Sequence, residues 1–239
     1  MPAYDYTSMG FYTYDCLGWP FTEVPAGGGT AFIDELTLAV SGAGGTAAIA
    51  AAKMGLKTLA AAGVGEDPMD AMDKGQSAAV MKAAKTGGAI TTVDVFAGSP
   101  KDLPAVAQVL PYTDYFMPSI EEAQALSGLS DLAGTAKFFL DMGVKACALT
   151  LGGEGAYYHD RDGLTFRIPA YDVLVKCTCG CGNAFNAGFA VGLVKGFSPE
   201  DTVRFAQATS ALNATGLGSQ AGVTSFEHTL NFMKTARTK

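Results

Sequence analysis

The sequence predicts a three-layer α/β/α sandwich around a mainly parallel sheet, with a reduced β lid, in a single domain spanning 1–239. Three observations carry that prediction. Short runs of β-branched and aromatic residues alternate with Ala-rich stretches along the whole chain, the pattern of strands joined by helical crossovers. The run 145–151 is continuously apolar, as expected of a strand buried on both faces. The 30 glycines in 239 residues imply many tight turns and close backbone approaches. Hydrophobic residues make up 49% and charged residues 16%, so the chain carries enough apolar surface for a sizeable core, and a disordered chain is excluded.

In chain order, 6–11 reads as a first strand. Residues 17–40 carry Pro20, Pro25 and Gly27-Gly28-Gly29 before the alternating run 30–40, and read as a hairpin or flap. A small-residue helix over 46–54 is closed by Gly55 and followed by a strand at 57–62. Residues 76–85 are helical and 90–96, rich in Thr and Val, a strand. Residues 115–117 form a short strand stopped by Pro118. Ser119 then caps a helix over 120–126, with Glu122 at its third position. A helix at 132–142 precedes the buried strand 145–151. The segment 156–169 alternates around Arg161-Asp162-Gly163, as an antiparallel hairpin does. Helices at 182–195, 199–215 and 226–236 finish the chain. The run 66–74 has neither strand pattern nor clear turn chemistry. Asp34 and Glu35 read as a solvated pair, and His159 and His228 as surface residues.

Lys and Arg total 16 against 23 Asp and Glu, a net charge of −7. That balance argues against nucleic acid or an anionic membrane as partner, because phosphate attraction needs clustered positive charge. The first basic residue is Lys53 and Asp5 and Asp15 interrupt the early apolar residues, unlike a secretory leader. No apolar run approaches the length of a membrane span. Five cysteines, three of them at 177, 179 and 181, do not have the spacing of a secreted disulfide framework. The expectation is a cytoplasmic protein.

Three glycine-bearing stretches could carry chemistry. Ser41-Gly42-Ala43-Gly44-Gly45-Thr46-Ala47 satisfies Gly-x-Gly-x-x-Ala between a strand-like run and a helix, the pattern of a dinucleotide site; helix–sheet packing needs small residues equally. Cys177-Thr178-Cys179-Gly180-Cys181-Gly182-Asn183 stands directly before a helix, where exposed backbone N–H groups and the helix dipole suit a phosphoryl group. Thr150-Leu151-Gly152-Gly153-Glu154-Gly155 ends the buried strand, where ligands of parallel sheets bind; a plain turn competes with that reading. The three cysteines also suit a soft metal or redox chemistry, since a thiolate near a helix N-terminus is favoured, although Cys-x-Cys-x-Cys is not a tetrahedral zinc spacing.

Taken in order, these stretches resemble the ribokinase-like (PfkB) carbohydrate kinases. The resemblance includes Gly63-Val64-Gly65-Glu66-Asp67 and Pro118-Ser119-Ile120-Glu121-Glu122-Ala123, and extends to Gly188-Phe189. It implies ATP- and Mg²⁺-dependent phosphoryl transfer to a sugar hydroxyl. It further implies that Asp15 binds substrate hydroxyls, and that Gly42 and Gly44 line the sugar pocket with Thr46 where many members have asparagine. Thr150, Gly152 and Gly155 would border the nucleotide and Glu122 would organise the metal. Gly180, Cys181 and Gly182 would form the anion hole, with Asn183 at the position of the catalytic base. The segment 17–40 would be part of a lid, which in such kinases commonly joins a homodimer.

The chain departs from the family pattern at several of these places. Asn183 replaces an aspartate, and an amide is not a proton acceptor near neutral pH. Cys177-Thr178-Cys179-Gly180 replaces Asp-Thr-Thr-Gly, and Ser119 replaces an asparagine. A block that the family carries after Asp67, including a strand and the rest of the lid, has no counterpart before 76–85. The sequence therefore leaves three functional readings: a sugar kinase with impaired or lost activity, a catalytically silent nucleotide- and sugar-binding relative, and an NAD-dependent oxidoreductase resting on residues 42–47 alone.

Overall fold

The computed structural model describes residues 3–20, 27, 30, 32–61, 76–96 and 98–239. The Gly63–Asp67 stretch and the run 66–74 lie outside the described residues.

Two faces of one sheet organise the larger part of the chain. Strands β5 (Thr92–Val93), β6 (Tyr115–Phe116) and β7 (Ala146–Thr150) run parallel, and β8 (Ala156–Asp160) and β9 (Thr165–Ile168) extend them antiparallel. Helices α4 (Ile120–Ser127) and α5 (Leu132–Asp141) cover one face through a core that includes Phe116, Leu126, Phe139, Val144 and Leu149. Helices α6 (Cys181–Val194) and α7 (Pro199–Ala214) cover the other through Phe185, Phe189 and Val203 against Met117, Ala148 and Ile168. β7 is buried on both sides, which explains its unbroken apolar sequence. The three layers of the prediction are present. Helices α2 (Gln76–Thr86) and α3 (Leu103–Val106) lie before β6 in sequence.

Toward the N-terminus, β1 (Tyr6–Met9) pairs in parallel with β4 (Thr58–Ala61). Helix α1 (Gly42–Lys53) packs on this pair and on α6, joined by α8 (Phe226–Thr235) in a cluster containing Ala50, Met54, Ala187, Val191 and Phe205. Among the described residues β4 and β5 are not paired, so the central sheet stands as two parts. β2 (Thr13–Trp19) and β3 (Glu35–Ser41) form a separate antiparallel ribbon in continuous register, from Thr13 opposite Ser41 to Trp19 opposite Glu35. No helix among the described residues is long and apolar enough to cross a membrane.

Several expectations need correction. The flap expected at 17–40 begins earlier, at Thr13, and the first strand ends at Met9, because Gly10 takes a φ of +155° and turns the chain. Helix α1 starts at Gly42 rather than 46. The strand expected over 90–96 shrinks to Thr92–Val93, since only these two residues pair with a neighbour. Glu35 keeps a 43% exposed side chain, as expected of a solvated residue, but its carboxylate also forms an ion pair with Lys176. His159 is half-buried with its Nδ1 enclosed and unpartnered, whereas His228 is exposed and bonds Thr224.

Candidate active site at the start of helix α6

Helices α4, α5, α7 and α8 each begin on a side-chain cap, from Ser119, Asp131, Ser198 and Ser225. Helix α6 begins on Gly180, which has a left-handed backbone (φ 70°) and offers no capping oxygen, and its first turn holds no acidic residue. The Cys181 N–H is taken by the Thr178 carbonyl at 3.2 Å. Those of Gly182 and Asn183 have no partner among the described residues. A side chain at Gly182 would meet nothing within 4 Å, so the space beside this turn is open. Uncapped donors at the positive end of a 14-residue helix are chemically suited to an anion.

The expected residues gather round this point. A Cβ on Gly180 would come 2.7 Å from Ser219 Oγ and 3.0 Å from Thr46 Cγ2, which places the first turns of α1 and α6 side by side. Thr46 is wholly buried and its hydroxyl has no protein partner. Asp15, on the half-buried face of β2, lies close enough to Cys179 to contribute to raising its pKa. The ribbon also meets Gly218, whose Cβ would touch Leu17, Ala39 and Thr37, and Lys176, which pairs with Glu35 and sits 5.0 Å above the Trp19 ring. The ribbon thus rests on the loops that flank α6. Asn183 is half-buried with an amide that bonds no described residue.

Gly42 and Gly44 have a different explanation. A Cβ on Gly42 would lie 2.5 Å from the Phe11 carbonyl oxygen, and one on Gly44 would lie 2.9 Å from the Tyr12 ring. The Gly44 N–H donates to Phe11, and its carbonyl accepts from Ser8 Oγ. Backbone crossing at the β1–β2 junction therefore requires these glycines. The strand before them belongs to the antiparallel lid rather than the parallel sheet, so residues 42–47 lack the setting of a dinucleotide fingerprint, and nothing supports the oxidoreductase reading.

A second group sits at the carboxyl ends of the parallel strands. Glu122 accepts the Ser119 N–H at 2.9 Å while Ser119 Oγ accepts the Glu122 N–H, the expected reciprocal cap. Ser119 bridges to Thr150, which sets the start of α4 beside the end of β7. Gly155 (φ 106°) could not carry a Cβ, which would lie 1.9 Å from the Ile168 carbonyl oxygen. The sequence reading missed Asp94 and Asn186. Asp94 ends β5 and accepts a hydrogen bond from Asn186 Nδ2 at 2.6 Å. Crowding by protein atoms, then the nearby Glu122 charge, raises the Asp94 pKa to about 7, although the residue itself is exposed. An acid at the carboxyl end of a strand was the available signal. Asn186 is one turn beyond Asn183 and shares its helix face, which joins this group to the anion site.

Glu122 and Asp94 offer hard carboxylate oxygens of the kind Mg²⁺ takes alongside substrate phosphates. No set of three or more acidic, His or Cys side chains among the described residues could hold a metal unaided. A separate cavity of about 300 Å³, lined by Ile120, Glu121, Leu132, Leu151, Glu154 and Arg167 among others, includes none of the expected site residues.

Residues 75–225, more than half of the chain, match the model of the family described as pfkB family carbohydrate kinase. A ribokinase of Haemophilus influenzae is 30% identical over 143 residues, covering 56% of this chain and 46% of that protein. A 2-dehydro-3-deoxygluconokinase of Bacillus subtilis is 31% identical over 125 residues, 52% and 39% of the two chains. The chain thus spans less than half the length of these curated relatives. The structure of Arabidopsis thaliana ribokinase complexed with ribose and ATP superposes with a TM-score of 0.79 at 19% identity, covering 98% of this chain and 99% of that one. Ribokinase of Thermotoga maritima gives 0.70 at 21%, covering 96% and 99%. These likenesses establish the fold.

Proposed function

This chain belongs to the pfkB family of carbohydrate kinases, and from that premise we propose that it binds ATP and a small sugar and transfers the terminal phosphoryl group to a sugar hydroxyl at a reduced rate. The observation that carries the proposal is the uncapped start of α6, opening beneath the lid between Asp15 and Thr46.

The free N–H groups of Gly182 and Asn183 would hold the phosphoryl group in transfer, where fixed donors stabilise developing charge. Thr150, Gly152 and Gly155 would border the nucleotide beyond β7. Asp15 and the unpartnered Thr46 hydroxyl would orient the sugar, with Gly42 and Gly44 shaping the floor by letting the backbone pass. Mg²⁺ at Glu122, joined by Asp94, would neutralise phosphate charge. Gly180 and Cys181 set the geometry of the turn. Asn183 can orient a hydroxyl but cannot take its proton, and general-base catalysis is worth about 10²–10⁴-fold.

The decisive experiment measures ADP release from Mg²⁺-ATP across a panel of sugars, for the natural chain and Asn183→Asp. Turnover that rises at least about 100-fold in the variant supports an intact kinase scaffold lacking its base. Absence of turnover in both, with ATP and sugar still bound by calorimetry, favours the silent binding relative, which the Asn183 amide already motivates. Absence of binding removes both readings.

The outward face of the lid suits a second copy of this chain. Tyr14, Leu36 and Leu38 are 70%, 63% and 56% exposed, and a two-stranded ribbon is marginal unless its apolar face is covered. A homodimer through the ribbon, in the cytoplasm, completes the proposal.

A further inference from the structure

Three thiols crowd the turn that feeds α6, and the phosphoryl-transfer reading uses none of their sulfur chemistry. Cys179 donates its backbone N–H to Cys177 Sγ at 3.4 Å. The Cys179 thiol and the Gly218 N–H stand near enough to lower the Cys177 pKa. Cys181 is tied elsewhere, its sulfur accepting Asn213 Nδ2 at 3.4 Å. Cys177 is half-buried and Cys179 exposed, so a small oxidant reaches both.

We propose that Cys177 and Cys179 form a reversible dithiol/disulfide pair that responds to hydroperoxides and rebuilds the turn before the α6 anion site. The inference stands on the thiol geometry and does not require the kinase reading. Residues two apart in a bent segment fall within the Cα separation a disulfide spans. The bridge closes a small ring across Thr178, and such strained, exposed disulfides have the higher reduction potentials of labile, regulatory ones.

The roles of the two sulfurs differ. Burial alone would push the Cys177 thiol up, but the hydrogen bonds it accepts outweigh burial and bring it below its ordinary value. Cys179, the donor, is pushed up to about 11, with Asp15 from the lid and Cys181 adding to the effect. Burial raises Cys181 as well, despite its bond from Asn213. Cys177 is the nucleophile and Cys179 the resolving thiol.

The Cys177 thiolate attacks one oxygen of the hydroperoxide. An S–O bond forms, the O–O bond breaks, and the alcohol (water, from hydrogen peroxide) leaves with a proton. Cys179 sulfur then attacks the sulfenic sulfur, the S–O bond breaks, and hydroxide departs with the Cys179 proton as water. Two thiols are oxidised by two electrons and one peroxide is reduced. The Thr178 carbonyl accepts the Cys181 N–H and the Cys179 carbonyl accepts Asn213 Nδ2, so closing the ring moves both supports of the first turn of α6.

The test treats the native full chain with equimolar hydrogen peroxide and follows thiol count, intact mass and mapped peptides. The expected result is loss of two thiols, a 177–179 crosslink, restoration by dithiothreitol, and changed amide-hydrogen exchange over 178–183. Cys177→Ser should slow thiol loss at least about tenfold, while Cys16→Ser leaves it unchanged. Native alkylation by iodoacetamide across pH, mapped by mass, should label Cys177 fastest and needs no variant. Retention of all thiols, a Cys177–Cys181 crosslink, sulfinic acid without a crosslink, or an intermolecular bridge through Cys16 would each overturn the proposal.

Discussion

Asn186, in the second turn of α6, donates its Nδ2 to Asp94 Oδ2 at 2.6 Å and so ties the helix bearing the anion site to the carboxyl end of β5. Within the described residues β5 is the outer strand of its sheet, and the other Asn186 amide atom, Oδ1, is buried without a partner. The contact links a mobile proton to the site's architecture.

The Asp94 proton is held more tightly in the folded chain, with a pKa of about 7, than at its ordinary value of 3.8. The folded state therefore binds more protons between those values, and the Asp94 contribution to stability declines as pH rises from about 4 through 7. Asp94→Asn should gain stability over the natural chain progressively across that interval in urea unfolding. Parallel stability profiles for the two proteins would show that Asp94 titrates normally.

Thr46 separates ligand binding from folding. A buried hydroxyl without a partner costs about 1–3 kcal/mol, so Thr46→Val should leave the melting temperature unchanged or raised. Sugar affinity, by calorimetry, should fall at least several-fold. A marked loss of stability would instead mean that the hydroxyl is satisfied in the folded protein.

Gly188 sets the approach of α6 to α7. A Cβ there would lie 2.5 Å from Thr209 Oγ1 and 2.8 Å from Ala206 Cα. Overpacking at such a crossing costs about 1–3 kcal/mol, and Gly188→Ala should lose that amount in chemical denaturation. An unchanged midpoint would show that the two helices can separate without cost.

The outward lid face should control assembly. Replacing both Leu36 and Leu38 by Glu leaves the ribbon register intact, because neither side chain packs on the body. Light scattering should then report a monomer for the variant and a dimer for the natural chain. A natural chain that is already monomeric across the micromolar range would refute the lid-mediated dimer.

Much of the fold was legible because its signals are local. Ser119 and Glu122 sit three apart and cap α4 as their spacing requires, and the apolar run around Ala146–Thr150 names a strand covered on both faces. The lid boundaries were less legible, since pairing of Thr13 with Ser41 depends on partners far apart in the chain. The uncapped helix start at Gly180–Asn183 was legible, because glycines interrupt the chain just before a helix. Asp94 and Asn186 were not, because their importance comes from a contact between residues 92 positions apart.

The sequence by itself determined the layered α/β class and most of the order of its helices and strands. These follow from periodicity, punctuation and side-chain chemistry, which any residue carries with it. Only the tertiary structure decided that Gly42 and Gly44 serve a backbone crossing, that Glu35 holds the ribbon to Lys176, and that hydrogen bonds lower the Cys177 thiol while burial raises that of Cys181. Each of those depends on distance and burial between segments remote in the chain, and both arise only when the layers close.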